Sequence, residues 1–204
     1  MASWGLRGKL RMQEVVGADL GPQISFVGPF GVGKTTAALK VCTSNVLTTE
    51  VTSSYTHPTI GKHLKPTTTV GLEIGEWVAP DGRRVCIVGT PGQKRFDMVR
   101  RSAMPRSNAV VLWLFGAHTL AVEDAGQWLE SVLKEIPARK LVVAVTRLAD
   151  EAELEPFVEA VHEQDDSIPV IAGDPRDVDS VNEVLEAAFA LCQRRPSSRK
   201  ELAQ

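Results

Sequence analysis

Cysteine is scarce and scattered: Cys42, Cys86 and Cys192 are odd in number and far apart. That spacing writes neither a disulfide framework nor a zinc site, and the expectation is buried thiols in a reducing cytoplasm. No long hydrophobic run exists either. The longest, Ala109–Phe115, falls far short of the ~20 apolar residues that cross a bilayer, so no integral membrane association is expected. Charge of one sign is also missing. Lys and Arg number 23 against 25 Asp and Glu, a net charge of −2, so no basic field gathers nucleic acid or an anionic membrane. Arg7, Lys9 and Arg11 precede no apolar stretch, which argues against a secretory signal. Residue 2 is Ala and the last four residues are Glu-Leu-Ala-Gln, which offer no myristoylation or prenylation pattern. Internal repeats are absent. What remains is 204 residues with 43% hydrophobic and 24% charged content, the composition of one globular domain with its own core.

Against that ordinary background one segment stands out. Residues 24–36 read Ile-Ser-Phe-Val-Gly-Pro-Phe-Gly-Val-Gly-Lys-Thr-Thr, in which Gly28, four residues and Gly33-Lys34-Thr35 make a complete P-loop pattern. Glycines let such a loop turn its N–H groups inward around phosphate oxygens. The Lys reaches the β- and γ-phosphates, and the Thr hydroxyl ligates Mg²⁺. A short apolar strand precedes the loop and a helical run, Lys34–Cys42, follows it, so the helix N-terminus adds partial positive charge. The nucleotide contact set reads Gly28, Phe30, Gly31, Val32, Gly33, Lys34, Thr35 and Thr36, with Lys34 also in a catalytic role and Thr35 as metal ligand.

Strands are expected at Gln23–Val27, Val70–Val78, Arg84–Val88, Ala109–Phe115, Leu141–Val145 and Pro169–Ala172. Helices are expected at Lys34–Cys42, within Phe96–Met104, and at Val122–Ile136, Glu151–Glu163 and Val178–Gln193. In Val122–Ile136 the residues Val122, Ala125, Leu129, Val132, Leu133 and Ile136 share one face at helical spacing. Ala79-Pro80-Asp81-Gly82 is a turn, so residues 70–88 read as a hairpin. Strands alternating with helices imply a mostly parallel six-stranded sheet with one antiparallel edge strand and helices on both faces. This α/β layout is similar to the Ras-like GTPase domain among P-loop NTPases. The expected organisation is an N-terminal extension (1–20), a domain (21–195) and a flexible C-terminal tail (196–204).

Beyond the hairpin, Val85–Val88 runs into Gly89-Thr90-Pro91-Gly92-Gln93. A strand ending in Gly-Gln matches the switch II element of small GTPases, where the Gly N–H meets the γ-phosphate and the Gln orients the attacking water. Gly92 and Gln93 would fill those roles here. The Thr that closes switch I has two candidate regions, His57-Pro58-Thr59 and Thr67-Thr68-Thr69. From Thr69 to Gly89 is 20 residues, which one hairpin of ~6–9-residue strands fills. From Thr59 the interval is 30 residues and leaves a surplus loop. Thr69 is favoured as nucleotide and metal contact, with Thr68 its nearest competitor and plain β-propensity the alternative reading.

Gly28–Thr36, Thr67–Gly71 and Gly89–Gln93 together resemble the bacterial MglA-type small GTPases and related predicted ATP/GTP-binding proteins associated with roadblock-domain partners. The similarity covers roughly residues 22–193. It implies a slow, partner-stimulated GTP hydrolase in bacterial signalling or polarity, with Mg²⁺, a guanine nucleotide and a roadblock-domain protein as companions. Most Ras-like proteins carry Asp where Gly89 stands, and the resembling family shares its loss. The metal is then expected to rely on Thr35, Thr69, phosphates and water.

The base end reads less cleanly. Small GTPases carry Asn/Thr-Lys-x-Asp after a buried strand, and here Leu141–Val145 runs into Thr146-Arg147-Leu148-Ala149-Asp150. Thr146 can brace the P-loop and the Arg147 stem can cover a base, but the carboxylate is one residue late. Asp150 either bulges inward to meet guanine or caps the helix that follows. Ala172 N–H is the candidate for the guanine carbonyl. His118 reads as a surface loop residue, with approach to the nucleotide the alternative, Trp113 as core, and Arg95, Arg100, Arg101 and Arg106 as a solvated basic face that could include an arginine finger or contact a partner. Two other functions stay open: a nucleotide-locked binding module with negligible hydrolysis, and a ParA-like ATPase. The second lacks that group's extra Lys, since Pro29 and Phe30 stand at the loop start.

Overall fold

Apolar runs of five to seven residues, bounded by turns, make strands that are buried on both faces, and helices must then cover both faces of the sheet. A computed structural model has this arrangement and describes residues 21–43, 46, 50–52, 67–69, 73–92, 101 and 103–193. Gln93, Arg95, Arg100, Thr59 and the expected extension and tail lie outside the described residues. Strands β1 (Gln23–Val27), β4 (Glu73–Val78), β5 (Arg84–Gly89), β6 (Ala109–Phe115), β7 (Leu141–Thr146) and β8 (Val170–Ala172) form one sheet in the order β4-β5-β1-β6-β7-β8. Every neighbour pair is parallel except β4 with β5. The chain is therefore α/β, with a six-stranded, mostly parallel sheet.

The helices are α1 (Lys34–Val41), α2 (Ala121–Leu133), α3 (Glu155–His162) and α4 (Val178–Gln193). Alternation along β6 shows how they are distributed. Ala109, Val111 and Trp113 join a core with Ala37, Ala38 and Val41 of α1 and Val181, Val184 and Leu185 of α4. Val110, Leu112 and Leu114 point the other way, into a second core with Ala125 and Leu129 of α2 and Phe157 and Val161 of α3. Among the described residues no helix is long and apolar enough to cross a membrane.

Three expectations are corrected in detail. The inward stripe of α2 starts at buried Ala121, and Val122 is 36% exposed. The expected helix over 151–163 is two pieces, a 3₁₀ turn Glu151–Leu154 followed by α3, which has Pro156 in its first turn. Proline lacks an N–H and clashes with the preceding turn, so it is tolerated where a helix begins and not inside one. Thr67–Thr69 pairs outside the hairpin. It forms β3, antiparallel to β2 (Glu50–Thr52), with Glu50 opposite Thr69, in a separate two-stranded ladder. Three β-branched residues in a row favour a strand, and the partner Glu50-Val51-Thr52 is also largely β-branched, a run too short to be read as a strand from sequence alone.

The hairpin itself is as expected. Gly82 N–H donates to Ala79 O at 2.8 Å and Ala79 N–H to Arg83 O at 2.9 Å, and the ladder runs from Val78 opposite Arg84 down to Glu73 opposite Gly89. It carries both Gly89 and the following residues to the end of β1.

Candidate functional site

The loop after β1 turns on glycines whose φ is closed to most side chains, Gly28 at 134° and Gly33 at 115°. Gly33 is also the N-cap of α1, whose first turn holds no acidic residue, so the positive end of the helix faces the loop uncompensated. Val32 is fully buried and belongs to the core shared by α1 and α4, which fastens the loop from beneath. Lys34 is buried, and its Nζ donates to the carbonyls of Gly28 and Pro29, both at 2.8 Å. Those two bonds hold the ammonium over the loop it springs from.

A second loop meets the first. Thr90 anchors it, with its backbone N–H and Oγ1 both donating to Phe26 O, at 3.0 and 2.9 Å. Gly92 then lies so close that a Cβ on it would sit 2.5 Å from Phe30 N and 2.7 Å from Pro29 O. Only glycine fits there. A cavity of about 130 Å³ lies between the loops, walled by Phe30, Gly31, Gly33, Lys34, Thr35 and Thr36 on one side and Thr90, Pro91 and Gly92 on the other. The expected phosphate-side residues within reach are thus brought together. Of Thr69 only the backbone position in β3 is described.

Thr35 carries the feature that sequence reading missed. Its Oγ1 donates to Glu73 Oε1 at 2.5 Å, and Glu73 is buried at the first position of β4. Pro175 is a second omission. It packs on Gly33, where a Cβ would meet its Cγ at 2.4 Å, so the loop after β8 closes over the glycine loop. Nothing in the local sequence announces that contact.

The loop after β7, the expected base end, is built differently. Thr146 ends β7 fully buried, and its Oγ1 has no hydrogen-bond partner among the described residues. Arg147 has φ 60°, a left-handed conformation that costs a non-glycine residue ~1–2 kcal/mol. The turn aims its guanidinium back: Nη2 donates to Gly31 O at 3.2 Å, and the guanidinium carbon lies 4.8 Å from the centre of the Phe115 ring. Asp150 caps the 3₁₀ turn, its Oδ1 accepting from Glu153 N–H at 3.2 Å. Glu153 reaches back to Ala149 N–H at 2.8 Å, a reciprocal arrangement akin to a capping box. The sequence signal, Asp-x-x-Glu before an apolar stretch, was there to be read. Arg147 and Glu153 also border an open groove of about 430 Å³, with Gly116, His118, Ala149 and Phe157.

Ala172 ends β8 half-buried opposite Val145, and Gly173 N–H donates to Val145 O at 2.8 Å. On the loop beyond, the Asp174 carboxyl is held below its usual range, first by the backbone N–H of Arg176. Trp113 is core, as expected, and His118 lies exposed with Nε2 3.6 Å from Asp124 Oδ2. Arg101 pairs with Glu135 at 3.5 Å and Arg106 is exposed. Burial pushes the Cys42 thiol up to about 12 and that of Cys192 to about 11, which makes neither a nucleophile at neutral pH. Among the described residues no three His, Cys, Asp or Glu side chains gather around a common point. No protein-family profile and no curated protein sequence matches the chain.

Proposed function

We propose that the chain is a small-GTPase-type switch that binds a guanine nucleotide with Mg²⁺ and hydrolyses GTP slowly. The observation that carries this reading is the meeting of the two loops, with Gly92 seated on Pro29 and Phe30 beside Lys34 and Thr35. A phosphate chain placed there would be wrapped by loop amides and the first turn of α1, and neutralised by Lys34. The γ-phosphate would reach the Gly92 N–H, so that presence or loss of that group would be felt by the loop that continues into Gln93. Gln93, one residue on, is positioned in sequence to orient the attacking water.

Thr35 would hold the metal through its hydroxyl, with Thr69 the expected second ligand. When bound, Mg²⁺ neutralises the charge on the β- and γ-oxygens. Arg147, braced on Gly31 and Phe115, is the residue to cover the base, with Ala172 on the following loop. The resemblance to MglA-type GTPases adds a roadblock-domain protein as regulator and a cytoplasmic setting.

Two measurements test the proposal. Denaturing the purified protein and chromatographing what it releases should yield GDP or GTP. Gln93→Leu should leave nucleotide affinity within about twofold while slowing single-turnover hydrolysis about tenfold or more, the size of a lost positioning contact. An unchanged rate in that variant removes Gln93 from the chemistry. No hydrolysis in the wild type, alone or with a roadblock-domain partner, would leave a nucleotide-locked binding module instead.

A further inference from the structure

The loop that cradles phosphate needs an acid nearby. In P-loop proteins the cation is shared between the loop Ser/Thr and an Asp from a neighbouring strand. The end of β5, next to β1, holds Gly89 where such an Asp would stand, and Gly89 offers no side chain. Its backbone does not require glycine, because it is not among the described glycines with positive φ. What excludes a side chain is Glu73. A Cβ on Gly89 would lie 2.6 Å from Glu73 Oε2 and 3.0 Å from Glu73 Cβ. The two residues face each other across the antiparallel ladder, and the carboxylate occupies the space over Gly89.

From that space it reaches the one hydroxyl that matters, accepting from Thr35 Oγ1. A threonine hydroxyl has one proton to donate and two lone pairs to offer. With its proton committed to Glu73, the Thr35 oxygen has its lone pairs left for a cation. Glu73 is only 3% exposed, so its carboxylate is held out of bulk water beside the Thr35 hydroxyl. A hydroxyl oxygen is a hard donor that Mg²⁺ takes, and a carboxylate beside it is suited to hold a water that the ion retains.

We propose that Glu73 is the acidic anchor of the magnesium ion, supplied from β4 across the sheet in place of an Asp on β5. The inference rests on the proposed nucleotide-binding reading and deepens it. It also accounts for Gly89: the glycine leaves the gap into which the Glu73 carboxylate fits, and a side chain at position 89 would have to displace that carboxylate.

The test uses the full chain as wild type, Glu73→Gln, Gly89→Asp and the exchange Glu73→Ala/Gly89→Asp, each loaded with GDP and, in parallel, ADP. Free Mn²⁺ read by electron paramagnetic resonance gives metal affinity, and the release rate of a fluorescent GDP analogue, with and without EDTA, gives metal-dependent retention. Glu73→Gln should lose about 10–100-fold in Mn²⁺ affinity, the usual scale for an outer carboxylate of a metal site, and should release GDP at the rate the wild type shows in EDTA. Gly89→Asp alone should lower the melting temperature through its clash with Glu73. The exchange variant should regain most of the Mn²⁺ affinity, and it decides the matter if Glu73→Gln does not fold. Wild type that holds GDP in a metal-dependent way, with Glu73→Gln or a folded exchange variant giving the opposite of these results, overturns the role of Glu73 alone. Wild type that binds neither nucleotide overturns the nucleotide reading and this inference with it, whereas wild type that holds GDP equally with and without EDTA overturns the role of Glu73 and leaves nucleotide binding standing.

Discussion

The loop after β1 and the loop after β7 lie side by side, joined by the Arg147–Gly31 bond, yet they are specified by different means. The first is a backbone object. Its turns need glycine at Gly28 and Gly33, its neighbour needs glycine at Gly92, and the ammonium of Lys34 bonds to loop carbonyls. The second is a side-chain object, in which a strained Arg147 leans on an aromatic ring and Asp150 and Glu153 each accept from a backbone N–H of the same short turn. Backbone recognition of phosphate depends on a few glycines at fixed spacing and leaves a pattern. Side-chain recognition of a base depends on one or two atoms whose placement a single inserted residue can move. On this comparison the chain should bind the phosphate part of its ligand strongly and read the base weakly.

The largest effect should come from breaking the first loop. Lys34→Ala should lower GTP and GDP affinity by about a hundredfold or more in isothermal titration, since losing one partner of a desolvated charged contact costs ~2–5 kcal/mol. The same change leaves the Gly28 and Pro29 carbonyls without their Nζ donor, so it should also lower stability, by ~1–3 kcal/mol. Circular dichroism should still report a folded α/β domain. Undiminished nucleotide affinity would mean that the glycine loop does not hold the nucleotide.

The next effect is smaller and lies on the bridge between the loops. Arg147→Ala and Arg147→Gly both delete the contacts to Gly31 and Phe115, so each should weaken nucleotide binding to a similar extent, about tenfold. They should differ in stability. Glycine adopts the φ of 60° found at this position without the penalty that alanine, like arginine, incurs, so the glycine variant should unfold at higher denaturant, by ~1 kcal/mol. Equal denaturation midpoints would mean that Arg147 is not held under strain.

The order of legibility follows the same division. Strands β1, β5, β6, β7 and β8 are readable to within a residue at each end, because an apolar run buried on both faces has a definite length. Helix α4 likewise has the bounds that pattern and turn signals indicate. The break before α3 is legible in Pro156, yet the apolar spacing continues through it and hides the break. Glu73 is legible in principle, since counting back from the turn at residues 79–82 puts it opposite Gly89. It escapes notice because an acidic residue at a strand end ordinarily faces water, and only the packing shows it buried. The contact of Pro175 with Gly33 joins residues far apart in the chain, and no local pattern encodes it.

The smallest effect sharpens the comparison most, because it asks whether Asp150 belongs to the ligand or to the fold. A carboxylate meeting guanine would have to turn inward. Here Asp150 is exposed, has extended backbone (φ −150°, ψ 172°) and accepts from Glu153 N–H. Removing a cap of this kind costs ~1 kcal/mol, so Asp150→Ala should lower stability by that amount in a urea melt. Base preference should not move. In competition against a labelled GTP analogue, GTP should outcompete ATP by about tenfold in the wild type and by the same ratio in the variant. A site built to pair its polar groups with one ligand rejects the analogue that leaves them unpaired by ~10⁴ or more. A wild-type ratio of that size, collapsing in Asp150→Ala while the melt stays unchanged, would make Asp150 a base-reading residue. It would also make the second loop as specific as the first.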